Sequence, residues 1–325
     1  SLGVDLALAM DGLGSWFALI ITGVGTLVLL YAAGYFEDPA KYVRFASYTL
    51  LFMAAMLGIV LSANLLLLFV FWELTSVTSY LLIGFYHERE EARDGARRAL
   101  IVTGGGGLAM LAGVILIGVT VGSFDLETIL ANGEQIKASA VYAPAVILIL
   151  IGAFAKSAQY PLHFWLPGAM EAPTPASAYL HSATMVKAGI FLLARLYPAI
   201  GDTPIFNGTV TAVGLFTAVY ASIYALRQSD LKAILAYSTV SWLGTLTFLI
   251  GLGTKDSIKA AIVGVLAHAL YKGALFLTAG SIDHAAGTRD IERIGGLGRV
   301  MRFTLIGAVI AGISMAGIPP LFGFL

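Results

Sequence analysis

Cysteine is absent from the 325 residues. That excludes disulfides, thiolate metal sites, cysteine-ligated iron–sulfur clusters and cysteine nucleophiles together. Charge is scarce: Asp, Glu, Lys and Arg make up 12% of the chain, against about 25% in an ordinary soluble domain. A water-soluble globule and a disordered chain are both excluded. The 19 basic and 19 acidic residues cancel, so no basic excess is present to attract nucleic acid. A dinucleotide fingerprint is missing too. Gly104-Gly105-Gly106-Gly107 has no Gly-Lys-Ser/Thr after it and is not a phosphate loop. Inside an apolar run it reads as close helix packing or a locally loosened helix.

What is abundant is apolar sequence, at 58% of residues with a mean hydropathy of +0.88. A membrane-spanning helix needs about 20 mostly apolar residues. Ten segments qualify: 13–35, 43–62, 65–86, 97–121, 144–166, 176–196, 209–226, 231–252, 257–281 and 303–325. The run from Phe45 to Tyr86 carries one charge, Glu73, and folds as a hairpin broken at Ser62-Ala63-Asn64. The first segment is no signal peptide, because it lacks a basic leader and follows Asp5 and Asp11. The longest connections, about 122–143 and 283–302, cannot house a soluble catalytic domain. The expected fold is therefore an all-α polytopic transmembrane helix bundle, one membrane domain over 1–325. The chain opens on Ser1 and stops within an apolar run at Leu325, as a fragment of a longer membrane protein would.

Alternate loops differ in basic charge. One set holds Lys41, Arg44, Arg89, Arg93, Arg97, Arg98, Arg227, Lys232, Arg289, Arg293, Arg299 and Arg302; the other holds Lys137, Arg195, Lys255 and Lys259. The positive-inside rule puts the first set in the cytoplasm and residue 1 outside.

Polar residues within the spans carry the functional signal. A charge at mid-bilayer costs about 2.5–3.5 kcal/mol on insertion scales. Glu73, Lys156, Lys187 and Lys272 all sit in apolar segments, joined by His163, His181 and His268. They are expected to face the bundle interior. Ser76 and Tyr80 share the helical face of Glu73. A carboxylate poised between burial and a nearby ammonium takes up and releases protons; the alternative is a static ion pair that fixes packing. Lys156 precedes Ser157-Ala158-Gln159-Tyr160-Pro161, where proline should break the helix and free carbonyls beside the ammonium. Its alternative is snorkelling to the interface. His181 and Thr184 share a face, as do His268 and Lys272. His163 is either a proton shuttle or a packing residue. Lys232 is either a loop charge or a helix-end lysine reaching inward. No metal is expected, since His268 lacks a second ligand at helical spacing.

The chain echoes itself. The segment 144–166 breaks at Pro161, and 303–325 breaks at Gly317-Ile318-Pro319-Pro320. Each break falls in the fourth span counted from 43 or from 209. Five spans separate the two starts, so the repeats 43–196 and 209–325 run in opposite membrane directions, the second truncated. Matched proline-broken helices in an inverted repeat point to a transporter ion site.

These residues resemble the antiporter-like membrane proteins shared by respiratory complex I and the Mrp-type multisubunit cation/proton antiporters. The likeness rests on Phe71-Trp72-Glu73-Leu74, on Lys156 through His163, and on Trp165 through Pro175. It continues through His181 to Gly189, Leu231 to Ser238 and His268 to Phe276. Lys187 after Met185-Val186, and the run Ser281 to Asp290, are similar to the branch formed by the large subunit of Mrp-type sodium/proton antiporters. The resemblance implies a proton path of Glu73, Lys156, His181, Lys187, Lys232, His268 and Lys272, with Ser76, Tyr80 and His163 as further candidates. It pairs Glu73 with Lys156, makes Lys187 and His181 the connecting positions, and puts Lys232 where Glu73 falls in the first repeat. It implies no cofactor, and a multi-pass location in a prokaryotic plasma membrane. Its implied partners are other membrane subunits, protons, and sodium or another monovalent cation. A proton-pumping component of complex I or of a membrane-bound hydrogenase is the alternative; a scaffold whose polar residues only hold helices together is the third. The family's further lysine or glutamate after the Pro-Pro break has no counterpart before Leu325, and its first helices have none after Ser1. A sodium site does not follow from the residues, and quinone binding has no support.

Overall fold

The computed structural model describes residues 6–324; Asp5 and Leu325 lie outside them. Among the described residues the regular structure is helical, with three isolated β-bridges and no strand. The long helices are α1 (Gly12–Tyr35), α2 (Pro39–Leu61), α3 (Leu65–Ile83) and α4 (Glu90–Val121). Two short helices, α5 (Leu126–Ala131) and α6 (Gly133–Ala138), lead to α7 (Tyr142–Lys156). After α8 (Trp165–Gly168) and α9 (Thr174–Ala178) come α10 (Ala188–Ile200), α11 (Pro204–Ala225), α12 (Leu231–Gly251), α13 (Lys255–Ala286) and α14 (Arg302–Met315). Among the described residues eight spans are long and apolar enough to cross a membrane, counting Thr174–Ile200 as one, and α7 and α14 are shorter apolar helices. Together they correspond to the ten segments read from the sequence. The helices α4 and α13 overrun those segments into their charged ends, where solvated side chains allow the backbone to stay helical.

Short polar residues start the helices. Asp11, Asp38, Asn64, Thr203, Asp230 and Thr254 each accept from a backbone amide of the first turn, satisfying donors that no preceding turn can reach. Pro39 and Pro204 occupy first-turn positions, where a missing amide costs nothing. Gly122 and Gly287 end α4 and α13 at φ +80° and +67°, a left-handed conformation that glycine adopts freely.

Successive helices run antiparallel, so the connections sort to two ends. At one end Arg89 meets Glu171 at 2.6 Å, Arg289 meets Asp230 at 2.9 Å, and Arg44 donates to Phe85 O at 3.2 Å. This is the end that gathers the basic loops. At the other, Leu8 bridges Ser62, Asn64 bridges Asp125, and Arg195 clamps Asp11. The span Thr174–Ile200 is the most enclosed, with 78% of its apolar window buried, so it is the axis on which the others pack. Buried Trp72, Trp165, Tyr179, Phe17 and Phe191 fill the space around it.

That axis departs from the sequence reading. The segment 176–196 reads as one continuous helix, but Tyr179–Ala183 is a π turn and Met185–Lys187 a 3₁₀ turn. Thr184 between them has φ −129° and ψ −95°. No proline marks this break, so pattern reading has nothing to detect.

Close helix approach depends on glycine. A Cβ on Gly244 would lie 2.5 Å from Ala218 N and 2.7 Å from Gly214 O, where α11 and α12 touch. Gly244→Leu should therefore push the pair apart and cost on the order of 1–3 kcal/mol. A lower melting temperature of the purified protein in detergent checks this; Gly208→Ala, with nothing within 4 Å of its Cβ, should melt as wild type. At the opposite surface the Arg195 guanidinium, with the Gly14 amide, holds the Asp11 carboxyl down to about 2. The depressed value makes its stabilisation complete above the unfolded carboxyl range, lost as pH falls through about 2. Asp11 is 52% exposed, so screening limits the contribution to about 1 kcal/mol or less. The melting gap between wild type and Asp11→Asn should be full above about pH 5 and close toward pH 2.

Candidate functional site

Four lysines lie inside the bundle. Lys156, Lys187 and Lys272 are 0% exposed, and Lys232 is 3% exposed. Among the described residues none has a carboxylate within 4.0 Å. Each ammonium is held by neutral oxygen instead.

Lys156 is the last residue of α7. Its Nζ donates to Ser76 Oγ at 2.8 Å and to Trp72 O at 3.1 Å, and lies 5.3 Å from the Trp72 ring centroid. Beyond it the chain turns sharply, with Ala158 at φ +49°. A side chain is strained there by roughly 1–3 kcal/mol. Four carbonyls at this break, expected to be free beside the ammonium, are engaged instead. Ala153 O accepts from Ser157 N, Phe154 O from Gln159 N, Ala155 O from Trp165 Nε1, and Ser157 O from Gln159 Nε2. Those acceptors are taken by the protein, and the ammonium reaches across to α3 for its own.

Glu73 lies within electrostatic range of Lys156 without touching it. Its carboxylate rests against α4, where a Cβ on Gly107 would overlap Oε1 and one on Gly104 would stand 3.5 Å from Oε2. Gly106 brings α4 against α7, since a Cβ there would overlap that of Ala155. The glycine run is thus close packing, and it also makes room for the carboxylate. Thr103 Oγ1 lies 3.4 Å from Ser76 Oγ, so Ser76 has polar neighbours on two helices. Tyr80 lies further along α3 and lines a cavity of about 290 Å³ with Arg44, Tyr48, Gly84 and Arg93 at the basic end.

The break leads to the next lysine. Ser157 Oγ donates to Val186 O at 2.7 Å. Lys187 Nζ folds back onto Ser182 O within the π turn and also donates to Val265 O at 3.0 Å on α13. His268 Nδ1 faces the same Ser182 O at 3.4 Å, and its ring stacks on Trp242 with centroids 6.4 Å apart. One turn on, Lys272 Nζ donates to Ser238 Oγ at 2.6 Å on α12, with Met315 Sδ at 3.7 Å. The structure therefore joins Glu73, Lys156, Lys187, His268 and Lys272 into one polar row across the bundle.

The remaining candidates lie around that row. Lys232 Nζ donates to Ala172 O at 2.8 Å and Met170 O at 3.2 Å near the basic end. Its reading as a loop charge is corrected, because the first turn of α12 is covered by the 170–172 segment. His181 is fully buried between Trp165 and Phe276, with ring centroids 6.3 Å away on each side. His163 sits apart from the row, stacked on Tyr160 at 5.6 Å and edge-on to Tyr220 at 5.0 Å. Sequence reasoning missed Ser238, Ser157 and the Ser182 carbonyl. Ser238 had a signal, for it lies in the run Leu231 to Ser238 that carries the family resemblance. The carbonyl had none.

Residues 62–325 match the family model described as NADH:quinone oxidoreductase/Mrp antiporter, TM, and residues 1–46 match the complex I chain 5 N-terminus model. The chain belongs to this family of antiporter-like transmembrane proteins. It is 51% identical over 324 residues to the A/B component of a probable K(+)/H(+) antiporter of Rhizobium meliloti, covering 100% of this chain and 32% of that protein. It is 48% identical over 336 residues to the A1 component of a Na(+)/H(+) antiporter of Staphylococcus aureus, covering 99% and 42%. The chain thus spans well under half the length of these relatives. Among solved structures it is similar to a Mrp complex from Dietzia at TM-score 0.94 and 42% identity, over 100% of this chain and 36% of that one. It is also similar to an archaeal membrane-bound sulfane sulfur reductase at TM-score 0.86 and 26% identity, covering 96% and 64%.

A hydrogen bond to a charged group contributes about 1.5–3 kcal/mol. Ser76→Ala and Ser238→Ala should each lower stability by about that much, read as a drop in detergent melting temperature. Ser→Thr at either position, which keeps the hydroxyl, should recover most of it.

Proposed function

We propose that the chain is the antiporter-like part of one membrane component in a multisubunit cation/proton antiporter. In this reading protons pass along Glu73, Lys156, His181, Lys187, Lys232, His268 and Lys272, coupled to an opposing monovalent cation. The observation that carries it is the row of buried ammonium groups with no carboxylate in contact, each held by a serine hydroxyl or a backbone carbonyl. Such holders release an ammonium more readily than a buried ion pair does. When Lys156 leaves Ser76 for Glu73, its charge moves along the row and Lys187 responds through the Ser157–Val186 link. The relatives are named for potassium and for sodium, so the cation itself is left to measurement.

The same reading includes an inverted repeat of 43–196 and 209–325, which matched helix lengths support. The helices α2, α3, α4 and α7 have 23, 19, 32 and 15 residues, and α11, α12, α13 and α14 have 22, 21, 32 and 14. Each quartet ends in a short helix that stops before a proline turn, and the two start from opposite ends of the bundle. The basic end is assigned to the cytoplasm by its charge. Similarity to a respiratory membrane complex favours a redox-driven pump as the second reading; cation-dependent exchange without an electron donor separates the two.

The test is cation-driven pH change in vesicles holding the whole complex, with sodium and potassium tried in turn. Lys156→Ala should reduce exchange at least tenfold while a native gel shows the complex assembled. Wild-type exchange in an assembled Lys156→Ala complex would remove Lys156 from the path.

A further inference from the structure

Four buried polar atoms lie on one short stretch with no hydrogen-bond partner: Thr174 Oγ1, Ser177 Oγ, and both ring nitrogens of His181. All three residues are 0% exposed. Thr174 and Ser177 are three residues apart, and His181 follows four later, the spacing that aligns side chains on one helical face. Helical serines and threonines commonly bond back to the carbonyl four residues earlier, as Thr103 and Thr239 do in this bundle. Ser177 does not, and Thr174 opens α9 with no carbonyl of its own helix before it.

The stripe has defined ends. Its lower end adjoins the Lys232 ammonium, which is held by Ala172 O at 2.8 Å, two residues before Thr174. Lys232 is near the basic surface, within electrostatic range of Glu171, Asp230 and Asp283. The upper end is His181, inside the π turn whose Ser182 carbonyl receives Lys187 and faces His268. Lys232 is also close enough for its charge to act on His181. Seven residues of helix separate Thr174 from His181, a rise of about 10 Å.

An orphaned buried hydroxyl is a stability cost. Two of them, aligned between a buried lysine and a buried histidine, are a defect for packing and an asset for proton transfer. We propose that Thr174 and Ser177 are the hydroxyl relay that carries protons between Lys232 at the basic end and His181 at the central row. The proton leaves Lys232 Nζ for a bridging water, since neither hydroxyl lies within hydrogen-bond distance of the ammonium, and water links each hydroxyl to the next group. Each group passes its own hydrogen onward, and the last transfer fills a ring nitrogen of His181. Each hydroxyl ends neutral and turns back, so one proton is lost by Lys232 and one gained by His181. This rests on the proton-path reading above and adds its entry branch, with two residues that the family resemblance did not supply.

The experiment compares Thr174→Val/Ser177→Ala with Thr174→Ser/Ser177→Thr in the whole complex, with Lys156→Ala in parallel. The relay predicts opposite signs for stability and transport. The hydroxyl-free double variant should melt at or above the wild-type temperature, yet exchange cations for protons at least tenfold more slowly. Its half-saturating cation concentration should be unchanged, and the hydroxyl-retaining double variant should keep most of the wild-type rate. Wild-type exchange without the hydroxyls, while Lys156→Ala is inactive, would overturn the relay and leave the central row standing. A lower melting temperature or failed assembly of the hydroxyl-free variant would overturn it too, by marking the hydroxyls as structural. Should Lys156→Ala also exchange normally, the proton path itself fails, and the relay with it.

Discussion

An ammonium group in the hydrocarbon region must find oxygen, and an intact helix offers little of it. Each carbonyl of a regular helix already serves its own ladder and can give only its second lone pair, as Trp72 O and Val265 O do here, and lipid supplies no substitute. Three lysines at 0% exposure therefore force the backbone and the polar side chains around them. Each solution on view obeys this constraint. Lys187 takes a carbonyl released where the π turn gives way to a 3₁₀ turn. Lys156 and Lys272 take serine hydroxyls from a neighbouring helix. Lys232 takes carbonyls from the irregular stretch before α9. Broken backbone thus serves Lys187 and Lys232, and hydroxyls on intact helices serve Lys156 and Lys272.

The same constraint explains the glycines. A row of side chains spanning four helices needs backbones close enough for the tips to meet. Gly106 and Gly152 let α4 and α7 touch, and Gly189 brings the start of α10 onto Ala153 and Ser157. That last approach sets Ser157 Oγ at 2.7 Å from Val186 O, where a side chain at position 189 would separate Lys156 from Lys187. In a bilayer, where apolar burial between helices gains little over contact with lipid, small residues are the main route to such proximity.

Much of this was legible in the chain. Span number and the two proline breaks followed from hydropathy and from Pro161 and Pro319-Pro320, because insertion energy and the missing proline amide act locally. The buried charges were equally plain, since one lysine in an apolar run is visible without a structure. What pattern could not reach was pairing. The resemblance pairs Glu73 with Lys156, yet the carboxylate lies on the Gly104–Gly107 face of α4 while the ammonium turns to Ser76. Two long side chains select their acceptors from whatever the tertiary contacts bring, and spacing along one helix does not record that. The π turn at Tyr179–Ala183 was invisible for a related reason, as no helix breaker marks it and the acceptor it offers Lys187 is set by tertiary packing.

The separation of Glu73 from Lys156 bears directly on how charge could move. Breaking a buried ion pair costs about 3–5 kcal/mol, whereas a hydrogen bond from a charged group to a neutral acceptor is worth about 1.5–3 kcal/mol. The difference of roughly 2 kcal/mol is more than a tenfold change in population at about 1.4 kcal/mol per decade. A lysine parked on serine, with its carboxylate a short reach away, has a second holder available. Locked to the carboxylate, it would be a strut. The niche at Gly107 keeps the pair open by giving the carboxylate a place to rest, and Ser76 keeps the ammonium satisfied meanwhile. In the proposed proton path the helix break after Lys156 supplies the third requirement, a backbone not stiffened by a continuing ladder, and Ser157, bonded to Val186 O, is the contact through which Lys187 would respond.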